Sequence, residues 1–268
     1  TVTGIATSAS FGYVSGTDRV RGGHRVADDK YDMNDLGIQV RYNFNNIWDD
    51  ASYRIFEPTE KLTDFNIYVW GNYNRLFNPS TYTGNNFGVS VFAKNKKQTA
   101  FGGNINTELG NQYDYFEPRT EGRYFIFKNI LNSNAWFSTD YAKTFALDGN
   151  VGFVTMFDPE RDLFFYWFGI SPRVKFNEKF VMSYNVNFNL GGGSRGYVTD
   201  IDDDIIFGER DQNTIVNSIS GNYNFNSFHG LTLTFRNYWT TVDYDHQLFT
   251  LMENGHLTTE DNYTLDDV

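Results

Sequence analysis

The chain contains no cysteine, only five prolines and only four histidines in 268 residues. Without cysteine, neither a disulfide framework nor a thiolate metal site can form. His24, His229, His246 and His256 are scattered, with no spacing suited to a zinc site or a catalytic triad. Serine is plentiful, but there is no G-x-S-x-G elbow. The glycine-rich LGGGSRG at 190–196 is followed by no helical pattern that could offer phosphate an N-terminal dipole, so it reads as a flexible exit from a strand. Positive charge is also short: 22 Lys and Arg stand against 33 Asp and Glu, a net −11, which argues against nucleic acid as a partner.

Long apolar runs are missing too. No stretch approaches the roughly 20 residues of a membrane-crossing helix. The opening TVTGIATSAS has no basic start followed by an apolar run, so the expectation is a mature chain or a piece of a longer one. Neither absence bears on a β-barrel, which crosses a bilayer with strands.

What the chain does have is aromatic. Phe (26), Tyr (18) and Trp (5) make up 18% of residues, while mean hydropathy is −0.50. Apolar residues recur at every second position, the period of a strand. In LGIQVRYNF (36–44), Leu36, Ile38, Val40, Tyr42 and Phe44 oppose Gly37, Gln39, Arg41 and Asn43. FVMSYNVNFNL (180–190) and IVNSISGNYNF (215–225) repeat the pattern, with Asn and Ser on the second face. Similar runs near 5–15, 62–76, 85–95, 98–108, 134–142, 145–157, 163–175 and 231–242 predict about eleven strands, or twelve with 246–251.

Strands in soluble proteins average about five or six residues, whereas a tilted membrane strand needs roughly nine to eleven. A soluble sandwich would carry Lys and Glu on its outer face. Here the second face is Asn, Ser, Thr, Gly and Gln, with Arg41, Arg173 and Arg236 among them as lumen candidates. A lipid-facing apolar side and a wet interior account for both faces. Strand ends rich in Tyr, Phe and Trp fit the headgroup level, RYNFNN (41–46) and NYNFNS (222–227) being two such endings. The fold expected is an all-β, antiparallel, up-and-down transmembrane barrel. It occupies residues 1–268 as one domain and lacks part of a larger barrel, because bacterial barrels have even strand counts. A soluble β-sheet binding protein is the non-membrane alternative.

Short turns at 94–97, 142–144, 177–179 and 226–230 alternate with long polar segments at 16–34, 109–133 and 191–212 and an acidic tail after 243. That alternation predicts periplasmic turns on one side and extracellular loops on the other. The segment 48–61 is long where a short turn should fall. In DIDDDIIFGERDQ (200–212), Asp200, Asp202 and Asp204 alternate like calcium ligands, but Ile206 and Phe207 break the EF-hand pattern. Calcium is therefore the lesser expectation there. The stronger one places Glu117, Arg119, Glu209, Arg210 and Asp211 in loop packing or ligand contact, with Arg119 and Arg210 forked onto carboxylates of the opposite loop.

The segments YDYFEPRTEGRYF (113–125), IIFGERDQNT (205–214) and RNYWTTVDY (236–244) are the distinctive ones. With the strands between them they make residues 110–257 resemble the C-terminal outer-membrane barrel of the DUF5916 family, found in Bacteroidota and relatives. Members typically add an N-terminal domain similar to family-9 carbohydrate-binding modules, and this sequence has none. Many relatives place arginine where this chain has Glu209. The resemblance implies the outer membrane of a Gram-negative bacterium and contact with lipid and lipopolysaccharide. It further implies other outer-membrane proteins or lipoproteins, or a glycan, as partners. It supplies no reaction. The functional expectation is transport, or scaffolding of a surface assembly handling glycans or other nutrients, with an outer-membrane hydrolase as the alternative. No catalytic set can be assembled from these residues.

Overall fold

The computed structural model describes residues 3–31, 42–159 and 161–264. Among the described residues, thirteen strands follow one another: β1 (Ala6–Val14), β2 (Asp18–Ala27), β3 (Phe44–Ile55), β4 (Leu62–Arg75), β5 (Tyr82–Asn95), β6 (Ala100–Asp114), β7 (Phe125–Ser138), β8 (Phe145–Met156), β9 (Phe164–Lys175), β10 (Phe180–Ile201), β11 (Asp204–Asn224), β12 (Gly230–Leu251) and β13 (Leu257–Glu260). Each pairs with its chain neighbour to form one sheet in the order β1 to β13, antiparallel throughout. No pairing joins β1 to β13 among the described residues. Most of the predicted strand 36–44, including Arg41, lies outside those residues, as does the side chain of His246.

Register puts the period-two pattern to work. Val69 pairs with Val89, Val89 with Ile105 and Phe101 with Phe137. Farther along the same face, Val151 pairs with Phe168, Phe168 with Phe188 and Phe188 with Ile215. One face is thus apolar across the sheet, and it is the exposed one: Val151 is 57% exposed, Phe235 67% and Phe11 82%.

The other face carries amides and is more covered. Asn72 donates to Asn86 (3.0 Å), Asn86 donates to Asn106 (2.7 Å), and Asn134 donates to Asn104 (3.0 Å), so side-chain ladders cross β4 to β7. Each amide offers donor and acceptor, which lets one residue type satisfy its copy on the next strand. Trp48, Trp70, Trp136 and Trp167 share this face, each paired with a glycine: Gly23, Gly88, Gly102 and Gly152. A Cβ at any of the four glycines would come within 3.0 Å of the indole.

The sheet curls with the amide face inside. β7 and β12 are five strands apart in the sheet order, roughly 24 Å along a flat sheet at about 4.8 Å per strand. Yet the Ile126 amide donates to the Gly255 carbonyl at 2.9 Å, and Arg123 donates to the Leu251 carbonyl at 2.6 Å. Phe125, Ile205, Phe207, Phe249 and Leu251 form the buried cluster at this junction. It lies across one rim, where β10, β11 and β12 run on for 21 or 22 residues each.

Several sequence expectations are corrected here. Segment 16–34 contains β2, and 48–55 belongs to β3, so only 56–61 is a turn at the position that had no account. Arg21 explains both misreadings: its guanidinium donates to both carboxylate oxygens of Asp50, at 3.0 and 2.8 Å. Charges that looked like loop residues are paired across the inner face. Segment 191–212 is not a loop, because β10 and β11 continue through it to a tight turn at Asp202 and Asp203, both with positive φ. The predicted twelfth strand at 246–251 is the end of β12. The four short turns all fall on the rim opposite the buried cluster, as their alternation required.

Candidate functional site: a capped polar chamber

The cap is assembled by three chain segments. The connection from β6 to β7 (115–124) is set at its start by Asp114, whose Oδ1 accepts the amides of Phe116 (2.8 Å) and Glu117 (3.1 Å). Pro118 is fully buried, and Glu117 Oε1 accepts the Tyr197 amide of β10 at 2.9 Å. Arg119 lies 4.4 Å from the Tyr197 ring centroid, so its contact with the neighbouring hairpin is cation–π. The apolar knot Ile205-Ile206-Phe207 is buried in β11, with Phe207 5.1 Å from Phe125 of β7.

Charge is concentrated beside that knot. Arg195 Nε donates to Glu209 Oε2 at 2.6 Å, and the same guanidinium lies 3.9 Å from the Phe249 ring centroid. Arg161, in the β8–β9 connection, is 9% exposed and lies 5.4 Å from the Phe125 centroid. Its Nη2 donates to the Gly193 carbonyl at 3.5 Å. Burial, and then the charge of Arg195, bring its pKa down to about 10, with Glu209 and Asp158 acting the other way. Lys128 and Asp158 pair at 3.6 Å on the same side.

The expected site residues are therefore partly gathered. Glu117, Arg119 and Glu209 all enter cap contacts. Arg210 is exposed on β11, next in sequence to Glu209 and so on the opposite face, and among the described residues it makes no ion pair. In place of the guanidinium–carboxylate forks expected between loops, Arg195 and Glu209 pair within one hairpin through the single Nε–Oε2 bond. Asp211 accepts the Gly193 amide at 3.0 Å. Asp200, Asp202 and Asp204 belong to no cluster of three or more His, Asp or Glu able to hold a metal among the described residues. Arg236 lines a polar hollow of about 420 Å³ with Asn185, Asn187 and Asn189, and Arg173 lies 5.0 Å from the Tyr141 ring centroid near the opposite rim.

Beneath the cap lies a chamber of about 280 Å³, walled by Asn46, Asn74, Asn86, Gln112 and Glu108, with Phe127 and Tyr113 adding rings. A second hollow, about 740 Å³, shares Tyr42, Asn43, Leu76 and Phe116 with it and reaches Tyr115 and Arg119 of the cap. Tyr73, Tyr82, Tyr113, Tyr124 and Tyr115 form a chain of ring contacts 5.2 to 6.1 Å apart between centroids alongside. Sequence reasoning missed this wall, because its residues come from five strands, β3 to β7, and the connections beside them, and no local spacing links them. What the arrangement can do chemically is hold a polar molecule against amides and rings.

The fold and chamber define an all-β protein: an antiparallel up-and-down sheet with an apolar exposed face and a capped amide-lined interior. The family model described as "Domain of unknown function (DUF5916)" matches residues 1–268, and the chain belongs to that family. The match spans the early strands as well as the distinctive segments after residue 110. No curated protein and no solved structure matches the chain.

Proposed function

We propose that the chain is the membrane-spanning wall of an outer-membrane β-barrel, with its apolar face in lipid and its amide face lining the lumen. One observation carries this reading: exposed large side chains such as Phe11, Val69, Phe101, Val151, Phe168 and Phe235 cover one face from β1 to β12. A soluble monomer rarely exposes a contiguous apolar patch above a few hundred Å². The rings at the uncapped rim support it. Phe176, Phe180, Tyr223 and Phe225 form a row of ring contacts, their centroids 5.0 to 6.4 Å apart, as in an interfacial girdle.

The role that fits is transport or scaffolding within a surface assembly that handles glycans or other nutrients, with the cap as a closed gate over a polar lumen. Cell fractionation tests the location: the protein sediments with the outer membrane and needs detergent to leave it. Recovery in the aqueous phase without detergent would sink the reading. Planar-bilayer recording then separates a conducting pore from a plugged scaffold.

A further inference from the structure

The three long strands lose register together, at one level. Gly191 of β10 pairs with Gln212 and Ser194 with Arg210, so Gly192 and Gly193 stand against Asp211 alone. On the other side of β11, Arg210 pairs with Tyr244 and Gly208 with Leu248, so residues 245–247 stand against Glu209 alone. The two bulges flank one row, formed by Ser194, Arg210 and Tyr244. The pairing of β9 with β10 stops at the same height, where Phe164 meets Gly192. A bulge interrupts the ladder and bends its strand, so two at one level leave a line along which three strands bend together. Gly193 has φ +68°, a left-handed conformation that suits glycine, and the Asp211 carboxylate accepts its amide at 3.0 Å. LGGGSRG, which reads from sequence as a flexible strand exit, is one side of this line.

Beyond that row the strands form an arm, 194–209 with 248–260, that reaches across the mouth to β7. The arm is stiff within itself. β10 and β11 stay paired up to their turn, with one further bulge at Val198, and β13 pairs with 248–251. Arg195 binds Glu209 and lies over the Phe249 ring. Four of the five buried cluster residues, Ile205, Phe207, Phe249 and Leu251, sit on the arm, and Phe125 of β7 is the fifth. Most of that apolar cluster therefore travels with the arm. Its far end is fastened at separate points. The Glu117 carboxylate accepts the Tyr197 amide, Arg119 lies over the Tyr197 ring, Arg123 donates to the Leu251 carbonyl, and the Ile126 amide donates to the Gly255 carbonyl.

We infer that this arm is a lid that swings as one body about the row of Ser194, Arg210 and Tyr244, with Glu117 and Arg123 as its latch. Swung away from β7, it opens the amide-lined interior on the capped side. The inference rests on the reading of the cap as a gate, and it assigns the moving part, the hinge and the latch.

The chain has no cysteine, so introduced cysteines carry spin labels at chosen positions only. Labels on Glu178→Cys, in the β9–β10 turn, and Thr258→Cys, on β13, report the arm against the wall. Labels on Val198→Cys and Thr258→Cys report the arm against itself. All three positions are exposed. The measurement is double electron–electron resonance on the full chain in detergent. Combining Glu117→Ala with Arg123→Gln should enlarge a second, displaced distance population of the first pair about tenfold, the worth of two such hydrogen bonds. The second pair should keep one narrow distance throughout. An unchanged distance for the first pair in the latch variant would overturn the inference. So would a broadened second pair, which means that the arm unravels instead of swinging. Hydrogen exchange on the unaltered protein reads the same motion with no folding defect to confuse it. Residues 194–209 and 248–260 should share one opening free energy, below that of the wall strands. Separate values for the two segments, or protection equal to the wall's, would also overturn it. Cell fractionation reads the location independently, so the lid and the membrane reading can fail separately.

Discussion

The indole of Trp48 fills the space that a side chain at position 23 would need. Gly23 is its cross-strand partner, and a Cβ there would press on the ring, whereas the nearest atoms to a Cβ at Gly22 are 3.7 Å away. Gly23→Ala should therefore destabilise the sheet by about 1–3 kcal/mol, the usual cost of overpacking. Gly22→Ala should change it little. Urea unfolding followed by tryptophan emission measures both.

Val151 and Asn150 are sequence neighbours on opposite faces of β8. In a bilayer, Val151→Arg should cost about 2–4 kcal/mol, the penalty for arginine on a lipid-facing barrel position near the midplane. Asn150→Arg, on the amide face, should cost clearly less. Stability in lipid vesicles by denaturant titration checks the difference. Equal costs would contradict a lipid-facing Val151.

Glu209 is the carboxylate partner of Arg195 and also offsets the charge of Arg161. Glu209→Gln leaves two neighbouring guanidinium groups partly or wholly buried without it, and should cost about 3 kcal/mol, as when a buried pair loses one member. The loss should be local. Hydrogen exchange should accelerate at 193–209 and 249–251 before the strands near the opposite rim respond.

Arg161 also sets a pH dependence. Its folded pKa, about 10, lies below the ordinary guanidinium value, so the folded state sheds the proton first as pH rises. Above about pH 10 the unfolded chain binds more protons, and stability climbs with pH from this group. At neutral pH the group is charged in both states, and the burial penalty is fully present. Arg161→Met should thus be neutral or stabilising at pH 7, and the rise from about pH 9 to 11 should be smaller than in the unaltered protein. Thermal melts of both proteins across that range provide the comparison.

Glu117 holds the β6–β7 connection by one hydrogen bond to Tyr197. Glu117→Ala should leave the strands of the sheet intact and expose 115–124 to proteolysis. Limited digestion with a site assigned by mass spectrometry would show the new cut at Arg119 or Arg123.

The strands were legible where one face was apolar and the other Asn or Ser, because burial of opposite faces writes period two directly into the chain. β4, β8, β9 and the lower halves of β10 to β12 fall within a few residues of their predicted bounds. β2 and β3 were not legible. Arg21 and Asp50 each look like loop charges alone, and only the pairing of two strands shows that they cancel. The continuation of β10 past Leu190 was hidden in the same way. Its glycines sit where neighbouring groups leave no room, with Phe165 against Gly191, Phe164 against Gly192 and the Asp162 carbonyl against Gly193.

The sequence by itself determined the alternation of faces, the antiparallel meander, the side on which the short turns fall and the family, since each is a property of local pattern. Tertiary structure alone decided that DIDDDIIFGERDQ is a strand turning on Asp202 and Asp203, with Ile205 to Phe207 buried in a cap. It alone placed Asn46 and Gln112 on one chamber. The reason is distance along the chain: Phe125 and Phe207, or Asn46 and Gln112, meet because a sheet curls, and no local spacing records curvature.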